Sequence, residues 1–160
     1  MRILIAYYSK TGNTERVALE LASKLGADIE KIIDKKNRTG ILGYLFGGRD
    51  AMKKILTEIE PIKNDPVDYD LVILGMPVWG WNMVPALRTY LDANKSKIKM
   101  YAFFVTSGNT PAEKMTPYFS EVAQKEPVAL AGFSGAELKN TKVYEEKIAE
   151  FVSKVNRFKI

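Results

Sequence analysis

Six consecutive residues, Ser9-Lys10-Thr11-Gly12-Asn13-Thr14, bring three hydroxyls, one carboxamide and one glycine into a single turn. Hydroxyls, amides and backbone N–H groups donate hydrogen bonds without carrying charge, and a glycine lets the backbone close around what they hold. The turn follows a short apolar run, Ile3 to Tyr7. It precedes a segment whose apolar positions, Val17, Ala18, Leu21, Ala22 and Leu25, recur at helical spacing. The first N–H groups of a helix have no partner within it, and its dipole leaves partial positive charge there. A strand, a turn of this composition and a helix can therefore grip a phosphate ester with no metal ion. The same residue types also make ordinary turns and N-caps that bind nothing, so the rest of the chain has to decide between the two readings.

Composition removes most other chemistry. The 160 residues suit one well-cored domain, 1–160, and the apolar share of 46% with 27% charged is that of an ordinary globular protein. The chain has no cysteine and no histidine. Disulfides, thiolate or imidazole metal ligands, cysteine nucleophiles and Ser-His-Asp chemistry are all excluded. No catalytic residue and no metal ligand is assigned; any redox chemistry must be carried by a bound group. No run has the length of a bilayer span and no basic-then-apolar leader opens the sequence, so a cytoplasmic protein without a membrane role is expected. The net charge of +5, with a pI near 9.3, is moderately basic. The lysines are scattered without interleaved aromatics, which argues against nucleic acid and leaves solvated faces, with an acidic protein partner as the second reading.

Positioning the turn requires strands and helices, and both alternate along the chain. Strand candidates are Arg2 to Tyr7, Asp28 to Ile33 (mixed in polarity, so nearer an edge), Leu71 to Leu74, Tyr101 to Val105 and Val128 to Phe133. Gly26 suits a left-handed C-cap, and Pro85 opens a helix burying Ala86, Leu87, Tyr90 and Leu91. Thr110 and Glu113 have capping-box spacing ahead of Met115, Phe119 and Val122, and a last helix from about Thr141 carries Tyr144, Ile148, Phe151, Val152 and Val155. Residues 34–66 are least regular: a charged loop at Lys35 to Arg38, then an apolar string punctuated by Gly40, Gly43, Gly47 and Gly48, then a short helix around Asp50 to Leu56. The 40–48 string reads as a connection over one flank of the sheet or, because Tyr44 and Phe46 are costly in water, as a flap or subunit contact. Strand–helix alternation predicts a parallel sheet between helices, whose ligands sit beyond the carboxyl ends of the strands. The Ser9, Trp79 and Ser107 loops all follow strands and so share one rim.

These residues resemble a flavodoxin over nearly the whole chain. Ser9 to Thr14 is similar to the family's phosphate loop, S/T-x-T-G-x-T. Asp70 to Trp79 resembles its third strand and first flavin-flanking loop, and Phe103 to Gly108 its fourth strand and second flanking loop. The resemblance implies a three-layer α/β fold with a doubly wound five-stranded parallel sheet in the order 2-1-3-4-5, and FMN at the switch point. It assigns the phosphate to Ser9, Lys10, Thr11, Gly12, Asn13 and Thr14. Pro77, Val78, Trp79 and Gly80, with Asn82 and Met83 nearby, would flank one side of the ring, and Thr106, Ser107, Gly108 and Asn109 its pyrimidine side. Trp79 is the expected stacking ring, against the alternative that it packs under its own loop; Trp81 is expected on the rim. Three features depart from the family pattern. Asn109 stands where many members have a tyrosine, the chain is basic where members are acidic, and the 40–48 segment is long and apolar.

The resemblance implies an FMN-binding electron carrier working between a reductase and an acceptor protein, as a monomer or weak homodimer. Its alternative is an NAD(P)H- or quinone-linked reductase of small molecules at an open flavin face, which would make the chain an enzyme.

Overall fold

The structure, a computed structural model, describes residues 1–158. Five strands, β1 (Ile3–Tyr7), β2 (Asp28–Lys31), β3 (Leu71–Pro77), β4 (Met100–Ser107) and β5 (Leu130–Ser134), form one parallel sheet in the order β2-β1-β3-β4-β5. The expected order is the observed one. β1, β3 and β4 are buried on both faces, as their continuous apolar runs require. The mixed polarity of β2 reflects its place at one edge, which residues 59–64 cover. Asp34 bridges to Ile59, Asn64 Nδ2 donates to the Ile29 carbonyl at 3.1 Å, and buried Glu30 accepts from the N–H groups of Lys63 and Asn64 at 2.9 and 2.7 Å.

Among the described residues six helices flank the sheet: α1 (Asn13–Leu25), α2 (Gly40–Met52), α3 (Pro85–Asn94), α4 (Thr116–Ala123), α5 (Gly135–Lys139) and α6 (Thr141–Asn156). Val17, Leu21, Ile148 and Phe151, from α1 and α6, pack with Ile3, Ile5, Ile73 and Phe104 on one side of the sheet. Leu87, Tyr90, Leu91 and Phe119, from α3 and α4, pack with Leu4, Val72, Leu74 and Phe103 on the other. Phe103 and Phe119 stack with centroids 4.2 Å apart. Gly75 makes room in mid-sheet for the ring of Phe104 on the next strand, since a Cβ there would fall 2.2 Å from it.

Helix ends match the sequence at some positions and not at others. Gly26 adopts the expected left-handed C-cap. Thr110 and Glu113 do not form a capping box. A 3₁₀ turn over Ala112–Met115 precedes α4, and the Thr110 N–H is taken by Ser107 Oγ at 2.8 Å. The box that does form is Ser134 with Glu137, opening the short α5. Asn140 caps α6 by accepting from the Val143 N–H at 3.2 Å. Asn140→Ala is expected to cost about 1 kcal/mol and to lower the thermal midpoint by roughly 2–4 °C. A circular-dichroism melt measures this, and an unchanged midpoint would show the cap to be idle.

Residues 40–56 differ most from expectation. The helix runs from Gly40 to Met52, where the sequence suggests a loop, and it stops before Leu56. Four glycines argue against a helix by propensity, but two of them let this one approach its support. A Cβ at Gly43 would lie 2.2 Å from the Arg38 carbonyl carbon, and one at Gly47 would lie 2.9 Å from the Trp79 ring.

Candidate functional site

The carboxyl ends of β1, β3 and β4 bring the three loops to one rim. The Ser9–Thr14 turn leads into α1, whose N-cap is Gly12 at φ +96°. Open space surrounds a Cβ built at Gly12, so the glycine is needed there for its left-handed backbone. Ser9 Oγ accepts from the Gly12 N–H at 3.2 Å, which leaves the hydroxyl hydrogen free to point outward. Thr11, Gly12 and Asn13 are exposed, while Thr14 is buried and its Oγ1 lies 2.8 Å from Thr106 Oγ1 at the end of β4. Two hydroxyls sharing one hydrogen bond have a second proton to give.

The charges near the turn are arranged to admit an anion. Glu15, in the first turn of α1, accepts from Tyr7 Oη and Lys31 Nζ, each at 2.8 Å. Those bonds, Lys31 first, hold its carboxyl below the usual range, so its charge is already met. Lys10 Nζ stands 5.5 Å from the ring centres of both Tyr44 and Trp79. Uncharged donors, an unpaired helix start and a nearby ammonium fit a phosphate monoester.

The loop after β3 divides the two tryptophans. Trp79 and Asn82 pair backbone to backbone, N–H to carbonyl at 3.4 and 3.0 Å, so Gly80 and Trp81 become the central residues of a tight turn. Both have positive φ, +54° each, the pattern of a type I′ turn. Trp79 therefore points inward. It is 7% exposed, meets Tyr8 edge-on at 5.5 Å and carries Gly47 of α2 on its ring. The expected stacking residue is thus packed beneath its loop, and the indole open to the rim is Trp81, 75% exposed. A bulky residue in the left-handed region is unusual and is strained unless something holds it there.

Asn82 and Met83 are also buried. Asn82 Oδ1 accepts from the Met83 N–H at 2.8 Å and from Arg88 Nη2 at 2.9 Å, so its carbonyl end organises the loop rather than facing outward. Pro77, Val78 and Gly80 lie part-way to the surface, as does Ser107, whose Oγ donates to the Thr110 carbonyl; Gly108 and Asn109 are exposed. Val78, Gly80, Ser107 and Gly108 share a groove of about 460 Å³ with Tyr44, Leu45, Arg49 and Met52 of α2 and with Trp81.

Sequence reasoning missed the α2 wall of that groove and the ion network under it. Arg38, expected in a solvated charged loop, is 5% exposed. Its Nε donates to Asp34 at 2.6 Å and its Nη1 to Asp50 Oδ2 at 2.9 Å; Lys36 and Arg49 reach Asp50 at 3.0 and 3.1 Å. Burial opposes charge on Asp50, but the bonds from Lys36, Arg38 and Arg49 outweigh it and hold the carboxyl well below its usual range. The only hint in the sequence was an acidic residue, Asp50, at the far end of a stretch otherwise free of acids from Lys35 on.

A family model described as Flavodoxin matches residues 48–155. The chain belongs to the flavodoxin family. The match spans the loops after β3 and β4 but not the Ser9–Thr14 turn. Among solved structures, a flavoprotein from Lactobacillus acidophilus NCFM, determined in complex with FMN, is 24% identical with a TM-score of 0.72; the alignment covers 87% of this chain and 97% of that one. Flavodoxin 2 from Bacillus cereus is 17% identical with a TM-score of 0.55, over 96% of this chain and 99% of that one. Identities this low speak for the shared flavodoxin fold. No helix among the described residues is long and apolar enough to cross a membrane, and no cluster of acidic residues among them could hold a metal ion.

Proposed function

We propose that this flavodoxin-family chain binds FMN at the rim formed by its three loops and carries electrons between a reductase and an acceptor protein. The 2.8 Å contact between Thr14 and Thr106 carries the reading, because it ties the donor-rich turn to the end of β4 across the switch point between β1 and β3. Ser9, Thr11, Asn13 and Thr14, with the N–H groups of residues 10, 11, 13 and 14, would hold the phosphate. The loops at 77–80 and 106–109 would flank the ring, with Trp81 and Tyr44 at its open edge. FMN, when bound, supplies one- and two-electron transfer; these residues supply its position and local charge.

A second reading, a reductase of small molecules such as quinones, is favoured by the apolar groove that Tyr44, Leu45, Met52 and Trp81 add beside the loops. Adding FMN to the purified protein and recording the visible spectrum tests the shared premise; a protein that takes up no flavin would end both readings. Turnover of a nicotinamide donor and a quinone with no partner protein would select the second.

The charge balance leads to a separate expectation. Adding an electron to the ring builds negative charge, which acidic flavodoxins oppose. One unit charge about 10 Å away, at an effective dielectric of about 40, is worth roughly 0.8 kcal/mol. With a net charge of +5, this chain is expected to hold its second electron at a less negative potential than acidic family members do. Redox titration checks this, and a potential as low as theirs would refute it.

A further inference from the structure

The helix α2 is built inside out. Its inward face consists of Gly43, Gly47, Asp50 and Ala51, while Ile41, Leu42, Tyr44, Leu45 and Phe46 are 81, 68, 64, 60 and 44% exposed. A helix apolar on its outer face is stable in water only when something covers that face. Met52 and Trp81, 56 and 75% exposed, extend the patch along the same groove. At about 200 Å² for a large side chain fully in the open, these seven residues present about 900 Å². That exceeds the roughly 300–600 Å² of the largest patch on an ordinary monomer and matches the roughly 800 Å² each partner gives to a standard interface.

We infer that the outer face of α2 is the homodimer interface of this protein, covered by the same face of a second copy across a two-fold axis. An apolar face with no charge at its centre suits a second copy of itself. No residue from Gly40 to Gly48 is charged. Beside the patch, Arg49 is already paired with Asp50 at 3.1 Å and Lys54 with Glu121 at 2.7 Å. An uncharged centre meets a copy of itself without repulsion, and the two border cations without an ion pair among the described residues, Lys10 against the Tyr44 ring and Lys53 at the end of α2, lie outside the 40–48 stretch. A contact of each α2 with its copy also gives the groove beside the three loops a wall from the other protomer. The inference goes beyond the flavin reading and does not depend on it, because of the seven patch residues only Tyr44 and Trp81 are assigned to the ring's edge.

Sedimentation equilibrium of the protein as purified, with and without added FMN, tests it. The expected mass is 36 kDa, twice 18.0 kDa, at micromolar concentration. Leu45→Glu should halve it with no change in the circular-dichroism spectrum, since Leu45 is exposed; Leu19→Glu, on α1, should leave the dimer intact. Because the chain has no cysteine, Leu42→Cys should cross-link to itself on oxidation, and Leu19→Cys should not. A monomer at every concentration, or a dimer that survives Leu45→Glu, would overturn the inference. So would a monomer that sediments with phosphatidylglycerol vesicles and loses that property in Leu45→Glu, which would identify the patch as a lipid contact.

Discussion

Thr11→Glu is expected to weaken FMN binding by at least about 10³-fold while leaving the thermal midpoint of the apoprotein where it was. Thr11 is exposed in the turn before α1, so a longer side chain displaces nothing in the fold. Its effect would fall on the ligand. A carboxylate about 4 Å from a phosphate, at an effective dielectric of about 20, costs about 4 kcal/mol for each pair of unit charges, and each 1.4 kcal/mol is a factor of ten. Thr11→Ser keeps the hydroxyl and should bind as the parent does. Fluorescence titration of the apoprotein with FMN measures all three. If Thr11→Glu binds within a few-fold of the parent, the phosphate lies elsewhere and the turn is an ordinary N-cap.

Asp50→Ala should destabilise the fold by about 3–5 kcal/mol, because it strips a buried cation of a partner. Arg38 would keep its bond to Asp34 but lose the one to Asp50, and its Nη2 already lacks a partner. Urea denaturation reads the loss; Asp50→Asn, which keeps an acceptor oxygen but no charge, should fall between. The pH dependence has a definite sign. In the unfolded chain the carboxyl titrates near 3.9, and in the folded one it is held lower. Its contribution is therefore complete above about pH 4 and disappears as the pH falls through the folded value. The gap between parent and Asp50→Ala should narrow on acidification below that point. A gap of constant size down to the acid transition would mean that Asp50 acts by shape rather than by charge.

Strands and loop positions were legible because each depends on neighbours in the sequence. Continuous apolar runs specify strands covered on both faces, and the residues after β1, β3 and β4 then have to share a rim. Features that depend on distant contacts were not. Whether Gly40 to Met52 is helical turns on how closely Gly43 and Gly47 can approach Arg38 and Trp79, which no local propensity encodes. Arg38 reads as a surface residue until Asp34 and Asp50 are seen to enclose it. That Trp79 turns inward and Trp81 outward follows from one pair of backbone hydrogen bonds, between Trp79 and Asn82, that makes Trp81 part of a tight turn. Thr110 and Glu113 had the spacing of a cap, but Ser107 reached the Thr110 N–H first.

That placement of the two tryptophans, the only ones in the chain, gives the protein an optical reporter of its own. One indole is shielded and edge-on to Tyr8, and the other stands in solvent two positions later. In a single copy, such as the Leu45→Glu variant, iodide should quench the emission in two unequal fractions, the accessible one belonging to Trp81. Occupation of the nearby rim by a yellow chromophore should dim both by energy transfer, while a protein surface laid over α2 should shield the accessible fraction without dimming the other. Ligand and neighbour can therefore be told apart in one cuvette, with no label added.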